Sequence, residues 1–161
     1  MRVERSVLLP CAPQACLEAV QTPRLLQYVA QPVLRFVPLA PSTWPARWEP
    51  SQYLVSVRLF GWLPMGRQWV NISGQDRSHE LGRFHVELRD NGRGTLMSKW
   101  DHRITIEAAG EGSRYTDCVE IQAGSLTPVV WLFAWCFYWH RQRRWRKLVA
   151  SGFDFAGRGS I

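Results

Sequence analysis

The 161-residue chain is poor in the residues that build recognisable reactive centres. It has four cysteines, Cys11, Cys16, Cys118 and Cys136, and only four histidines. No two cysteines form a C-x-x-C pair and no histidine stands beside one at ligand spacing, which argues against the common zinc and dithiol motifs. The expectation is no metal, no cofactor and four buried free thiols in a reducing cytoplasm. A nucleophile elbow and a phosphate-cradling glycine loop are missing too, so no complete catalytic motif is present. The longest uninterrupted apolar run, Val129 to Trp139, has eleven residues. A bilayer span needs about 20, so the run reads as a buried or interfacial helix. The N-terminus is not a signal-peptide pattern: Glu4 interrupts the charged start, and Pro10 and Pro13 break a short apolar stretch. Repeats, low-complexity tracts and linkers are absent. That leaves one domain, expected over residues 1–150, with 151–161 as a C-terminal tail.

What the chain does have is aromatic mass and positive charge. Nine Trp are many for this length, and rings at that density line cores, pockets or interfaces because each buries a large area. The hydrophobic fraction of 46% and charged fraction of 20% are those of a globular, soluble chain. Twenty Lys and Arg against 13 Asp and Glu give a net charge of +7. Such a balance suits nucleic acid, an anionic membrane, an acidic ligand, or simply a charged surface.

Periodicity organises the chain. Val3, Val7 and Leu9 share one face of a first strand. Pro13 opens a short helix to about Val20, and Thr22-Pro23 repeats the start signal for a second, with Leu25, Leu26 and Val29 on its apolar side. Val33–Leu39 is extended and leads to a loop containing Trp44, Pro45 and Trp48. Tyr53, Val55, Val57 and Leu59 alternate with more polar neighbours, the period of a half-buried strand. A turn over Gly61–Gly66 leads to a strand with Val70 and Ile72 inward. Phe84, Val86 and Leu88 alternate with His85, Glu87 and Arg89, and Asp90-Asn91-Gly92 reads as a turn. Trp100, His102, Ile104 and Ile106 then face Tyr115, Asp117, Val119 and Ile121 in a hairpin closed around Gly110–Gly112.

The last element is a helix from about Leu126 to about Ala150. Val130, Trp131, Ala134, Tyr138, Trp145, Leu148 and Val149 form one stripe, which should lie on the sheet. Val129, Leu132, Phe133, Cys136 and Trp139 form a second apolar face, running on into Arg143 and Lys147. A sheet covers only one side of a helix, so the second face needs a loop, another subunit or a membrane. Successive antiparallel strands with helices near the ends argue an α+β fold.

This order, with VERSVLLPCAPQACLEAVQTPRLLQYV at the start, resembles the START/SRPBCC (helix-grip) superfamily, which includes lipid-transport domains and the polyketide cyclase/dehydrase group. FHVELRDNGRGTLMSKWDHRITIEAAGEGSRYTDCVEI followed by HRQRRWRKL is similar to an uncharacterised ligand-binding branch of it. The matching residues are Gly94, Trp100, His102, Asp117, Val119 and Arg141. Ile104 stands where that branch would carry a second His, which weakens a reaction needing two. The resemblance implies a curved antiparallel sheet, two short helices after strand 1, and a long C-terminal helix over an apolar cavity.

On that fold the expected ligand-binding residues are Tyr53, Val55, Val70, Ile72, Phe84, Val86, Trp100, His102, Ile104, Tyr115, Asp117, Val119, Trp131 and Tyr138. The bland alternative is that the aromatics merely fill the core. The first functional expectation is a binding or transport module for an apolar small molecule or lipid. The second is a cyclase- or dehydratase-like enzyme using His102 and Asp117 as an acid/base pair, set against a structurally satisfied His. The third is a homodimeric interaction protein. Val129, Leu132, Phe133, Trp139, Arg143 and Lys147 are the expected membrane or dimer surface, on a cytoplasmic protein peripheral to an anionic membrane. The cations from His140 to Lys147 also have a plainer use, at the negative end of the helix dipole. They sit on one helix and do not track the strands, which argues against nucleic acid.

Overall fold

A computed structural model describes residues 1–156. Alternation in the first strand and the last two becomes adjacency: β1 (Arg2–Leu9) pairs antiparallel with β7 (Gly112–Gln122), which pairs with β6 (Lys99–Ala109). The sheet continues through β5 (His85–Gly94), β4 (Leu63–Asp76), β3 (Gln52–Leu59) and β2 (Leu34–Ala40). The order β1-β7-β6-β5-β4-β3-β2 makes one seven-stranded antiparallel sheet. Register irregularities at Pro38/Ala40 and Ser56/Arg58 bend its far strands, as bulges do.

Among the described residues four α-helices accompany the sheet: α1 (Pro13–Val20), α2 (Pro23–Ala30), the single turn α3 (Ser78–Leu81) and α4 (Thr127–Ala150). Proline opens α1 and α2 as expected, and Thr22 caps α2, its hydroxyl accepting the Leu25 N–H at 3.3 Å. The expected α+β architecture is therefore present, with a curved sheet wrapped against a long terminal helix.

The β6–β7 hairpin has the anticipated register: Trp100 opposes Ile121, His102 opposes Val119, and Ile106 opposes Tyr115. Only Gly110 and Glu111 lie between the last pair, Ala109 and Gly112; Gly110 takes a left-handed φ of 59° that suits glycine.

Two expected turns are displaced. Asp90-Asn91-Gly92 lies inside β5, where ladders to β4 and β6 override its turn preference. Gly92 serves strand approach there, since a Cβ would fall 2.2 Å from the Trp69 carbonyl oxygen. The turn expected over Gly61–Gly66 closes earlier, at Phe60 and Gly61 with φ of 51° and 82°, and β4 already runs from Leu63.

The α4 stripe packs largely as its spacing predicts. Trp145, Leu148 and Val149 join Leu25, Val29, Ile106 and Tyr115 in one core cluster, while Ala134 and Tyr138 join Val119 and Ile121 in another. Each such large apolar side chain, buried fully, contributes about 1.5–3 kcal/mol, which holds the helix to the sheet. The first residues of the expected tail also pack: Phe153 meets Trp145 edge-on at 5.9 Å and Phe155 meets Tyr28 at 5.7 Å. The remainder of that expected tail, residues 157–161, lies outside the described residues. All four cysteines are free, but the expectation that all are buried fails. Cys16 alone is fully buried, Cys11 and Cys118 are half-buried, and Cys136 is exposed on the outer side of α4.

Candidate functional site

The curved sheet and α4 do not close fully on each other, and a cavity of about 600 Å³ remains between them. The sheet supplies Phe36, Val57, Val70, Ile72, Val86, Leu88, Trp100 and Ile104; α1 and α2 supply Leu17, Val20, Leu25 and Leu26; α4 supplies Val130, Phe133 and Phe137. Phe133 stacks parallel on Phe137 with ring centroids 6.0 Å apart. That volume and lining fall within the range of small-molecule sites, which are apolar with a few placed polar groups.

The polar groups gather where α4 crosses β6 and β7. His102, on the inner face of β6, places Nε2 2.9 Å from Asp117 Oδ1 on β7. Tyr115 donates its hydroxyl to the same oxygen at 2.9 Å, and Gln142 donates to Asp117 Oδ2 at 3.2 Å. Arg141 donates from Nη2 to the Tyr115 oxygen at 2.9 Å, and its Nε lies 3.4 Å from Asp117 Oδ1 without making a hydrogen bond. Burial pushes the Asp117 carboxyl up, but Arg141 and the donors from His102 and Tyr115 outweigh it and leave it below the ordinary range. Burial pushes His102 down and prevails over Asp117, so the imidazole is neutral at pH 7. A carboxylate acceptor at Nε2 then assigns the ring proton to Nε2 and leaves Nδ1 as an acceptor. Burial also raises the Tyr115 and Tyr138 hydroxyls well above their ordinary values. Asp90 lies beside His102 in the ladder and accepts the Asn71 N–H at 2.8 Å. Burial pushes its carboxyl up to about 7, against the Asn71 hydrogen bond.

No family model matches the sequence, and no curated protein matches it. Solved structures do. A START superfamily protein from Mycobacterium smegmatis aligns with a TM-score of 0.64 at 15% identity, over 93% of this chain and 97% of that one. Protein CV1439 from Chromobacterium violaceum aligns with a TM-score of 0.67 at 14% identity, over 92% and 96%. Ara h 8.0201 aligns with a TM-score of 0.63 at 14% identity, over 94% and 98%. This chain has the START-like, helix-grip fold.

Of the residues expected to line a START-like cavity, Val70, Ile72, Val86, Trp100, His102, Ile104 and Tyr138 do so. Tyr115 and Asp117 stand one layer behind the wall, in contact with it through His102 and Arg141. The other expected lining residues lie away from the cavity. Tyr53 and Val55 pack with Val70 under the Trp-rich loop, where Trp48 meets Tyr53 at 5.0 Å. Phe84 packs against the α1–α2 end of the core and Val119 is core. Trp131 donates its indole N–H to the Arg2 carbonyl at 2.8 Å, out on the β1 side of the helix.

Arg141 and Asp90 were not among the expected site residues. Arg141 had a signal: a charge lying between Tyr138 and Trp145 on the buried stripe of a helix. Asp90 was concealed by its turn-like Asp-Asn-Gly context. The basic run also divides. Arg141 turns inward, and Arg144 donates to the Tyr28 carbonyl at 2.8 Å with its guanidinium over the Tyr28 ring. His140 Nε2 lies 2.8 Å from the Gln31 carbonyl, while Arg143, Arg146 and Lys147 are exposed. On the second face, Val129, Leu132 and Trp139 are 67%, 57% and 47% exposed, joined by Trp135 at 44%. Phe133 leaves that face for the cavity. No helix among the described residues is long and apolar enough to cross a membrane.

Proposed function

We propose that residues 1–150 act as a single START-like domain that binds or carries an apolar small molecule or lipid. The cavity of about 600 Å³ between sheet and α4, with its largely apolar walls, is the observation that carries this reading. Native mass spectrometry of the purified protein, followed by solvent extraction, tests it. A co-purifying apolar molecule supports it; a ligand-free dimer would point instead to an interaction role. We place the protein in the cytoplasm, touching anionic membrane through the outer side of α4. There Val129, Leu132, Trp135 and Trp139 are exposed along the helix, and the Arg143 guanidinium sits 5.7 Å from the Trp139 ring centre. Apolar anchors flanked by cations suit that surface. Failure to co-sediment with phosphatidylserine vesicles at low salt would remove this part of the proposal.

A second reading has one observation in its favour. Asp117 holds His102 by Nε2 at 2.9 Å and leaves Nδ1 as an acceptor on a residue of the cavity wall, an arrangement suited to a general base in cyclase- or dehydratase-like chemistry. Asp117 itself is committed to four neighbours and stays ionised, so it positions the imidazole and does not serve as the acid. Turnover of an aromatic polyketone by wild type, equal in His102→Ala, would exclude His102 as the base.

A further inference from the structure

The proposed ligand is so far described only by its tail; the cavity wall also carries information about its polar end. Tyr138 is 2% exposed and lines the cavity, and its hydroxyl makes no hydrogen bond among the described residues. With no hydrogen-bond partner among the described residues and the cavity beside it, this hydroxyl is available to a ligand. Beside it, with ring centroids 5.1 Å apart and a tilt of 52°, lies His102. Its Nε2–H is used by Asp117, and its Nδ1 likewise makes no hydrogen bond among the described residues. One unused donor and one unused acceptor thus belong to neighbouring rings on the wall of an apolar cavity.

The two requirements select a chemical group. A partner for Nδ1 must donate, because the neutral ring offers only a lone pair there. The same partner can accept from the Tyr138 hydroxyl. An ether, ketone or ester accepts only, and so does a carboxylate. A carboxylate also meets two electrostatic objections. The charge of Arg141 is already opposed by Asp117, 3.4 Å away, and Asp90 adds a second carboxyl beside His102 in the ladder. Hydroxyl groups, aliphatic or phenolic, satisfy both partners without adding charge.

We propose, building on the cavity-binding reading above, that the ligand is an apolar alcohol or phenol whose hydroxyl donates to His102 Nδ1 and accepts from Tyr138. Calorimetric titration with three probes of equal tail tests this: decan-1-ol, decyl methyl ether and sodium decanoate, at pH 7, on the wild type and on Tyr138→Phe. The ether can accept from Tyr138 but cannot donate to His102 Nδ1, so one neutral hydrogen bond should favour the alcohol over it by roughly fivefold in Kd. Tyr138→Phe removes the bond that both ligands accept, so alcohol and ether should each weaken by roughly fivefold while the alcohol keeps its lead. The variant's melting temperature should hold, because the hydroxyl supports no other residue. An alcohol no tighter than the ether, or decanoate the tightest of the three, overturns the assignment while leaving the cavity reading intact. No binding by any probe overturns both. The wild-type series decides the matter even if the variant folds poorly.

Discussion

Replacing Asp90 by Asn should stabilise the protein, and by an amount that depends on pH. Asp90 faces the cavity from β5 and accepts the Asn71 N–H at 2.8 Å, a bond that an Asn side-chain oxygen can keep. Burial raises its carboxyl to about 7, against about 3.9 in an unfolded chain. The folded state therefore holds a proton that the unfolded state has released over this range. Stability is fully present below the unfolded value, falls as pH rises from about 4 to about 7, and is flat above. Three pH units at 1.36 kcal/mol each set a ceiling of about 4 kcal/mol. Asp90 is only half-buried, so screening by solvent brings the expectation to about 2 kcal/mol. Urea denaturation at pH 4 and pH 8.5 provides the assay. Asp90→Asn should match the wild type near pH 4 and exceed it by about 2 kcal/mol at pH 8.5. A gain that is the same at both pH values, or a loss at pH 8.5, would refute the argument. An apolar ligand that shields Asp90 from solvent should sharpen the effect, so that its affinity weakens as pH rises through 7.

Arg141→Met should cost about 3–5 kcal/mol in urea denaturation, because it leaves Asp117 buried without its cation. Stability of that variant should then fall more steeply above pH 4 than in the wild type, since burial would be opposed only by the hydrogen bonds from His102, Tyr115 and Gln142. Gly92→Ala should cost at least about 2 kcal/mol, as a Cβ 2.2 Å from the Trp69 oxygen must push β4 and β5 apart; an unchanged melting temperature would contradict the close approach. The neighbouring Cys16 thiol, helped by the Ser113 hydroxyl 3.7 Å from the Cys11 sulfur, lowers the Cys11 thiol to about 6 against the cost of burial. In a Cys136→Ser background, alkylation of Cys11 should therefore rise through about pH 6, where a free thiol reference rises near pH 8.5.

The fold was legible wherever a local period coincided with a tertiary face. Val3, Val7 and Leu9 read correctly because β1 has one buried side, and the β6–β7 register followed from two apolar faces and a two-residue turn. Legibility ended where the chain met itself at long range. Asp90-Asn91-Gly92 has the local chemistry of a turn, and only the flanking ladders of β4 and β6 make it a strand. Which inner-face residues reach the cavity depends on sheet curvature. Tyr53 and Val55 alternate as cleanly as Val70 and Ile72 and share a cluster with them under Trp44 and Trp48, yet only Val70 and Ile72 also reach the cavity. Along α4, spacing identified two apolar sides but not their covers. It could not show that Phe133 would fold into the cavity while Leu132 stays open to solvent.

The polar wall and the apolar lining divide the work of recognition unequally. Arg141 and Asp117 oppose each other, His102 is neutral and the two tyrosines keep their protons, so Asp90, with its carboxyl raised to about 7, is the remaining source of charge beside His102. A neutral hydrogen bond adds about 1 kcal/mol net, whereas each buried methylene adds about 0.8 kcal/mol. A ten-carbon tail therefore outweighs two such bonds severalfold. Affinity should follow the length and fit of the tail, while His102 and Tyr138 set which end enters first. A site built this way tolerates variation in the apolar part and is selective at one atom. That is what a carrier of related lipophilic alcohols or phenols requires, and it differs from a site built around a fixed charge, where losing the ionic partner would abolish binding outright.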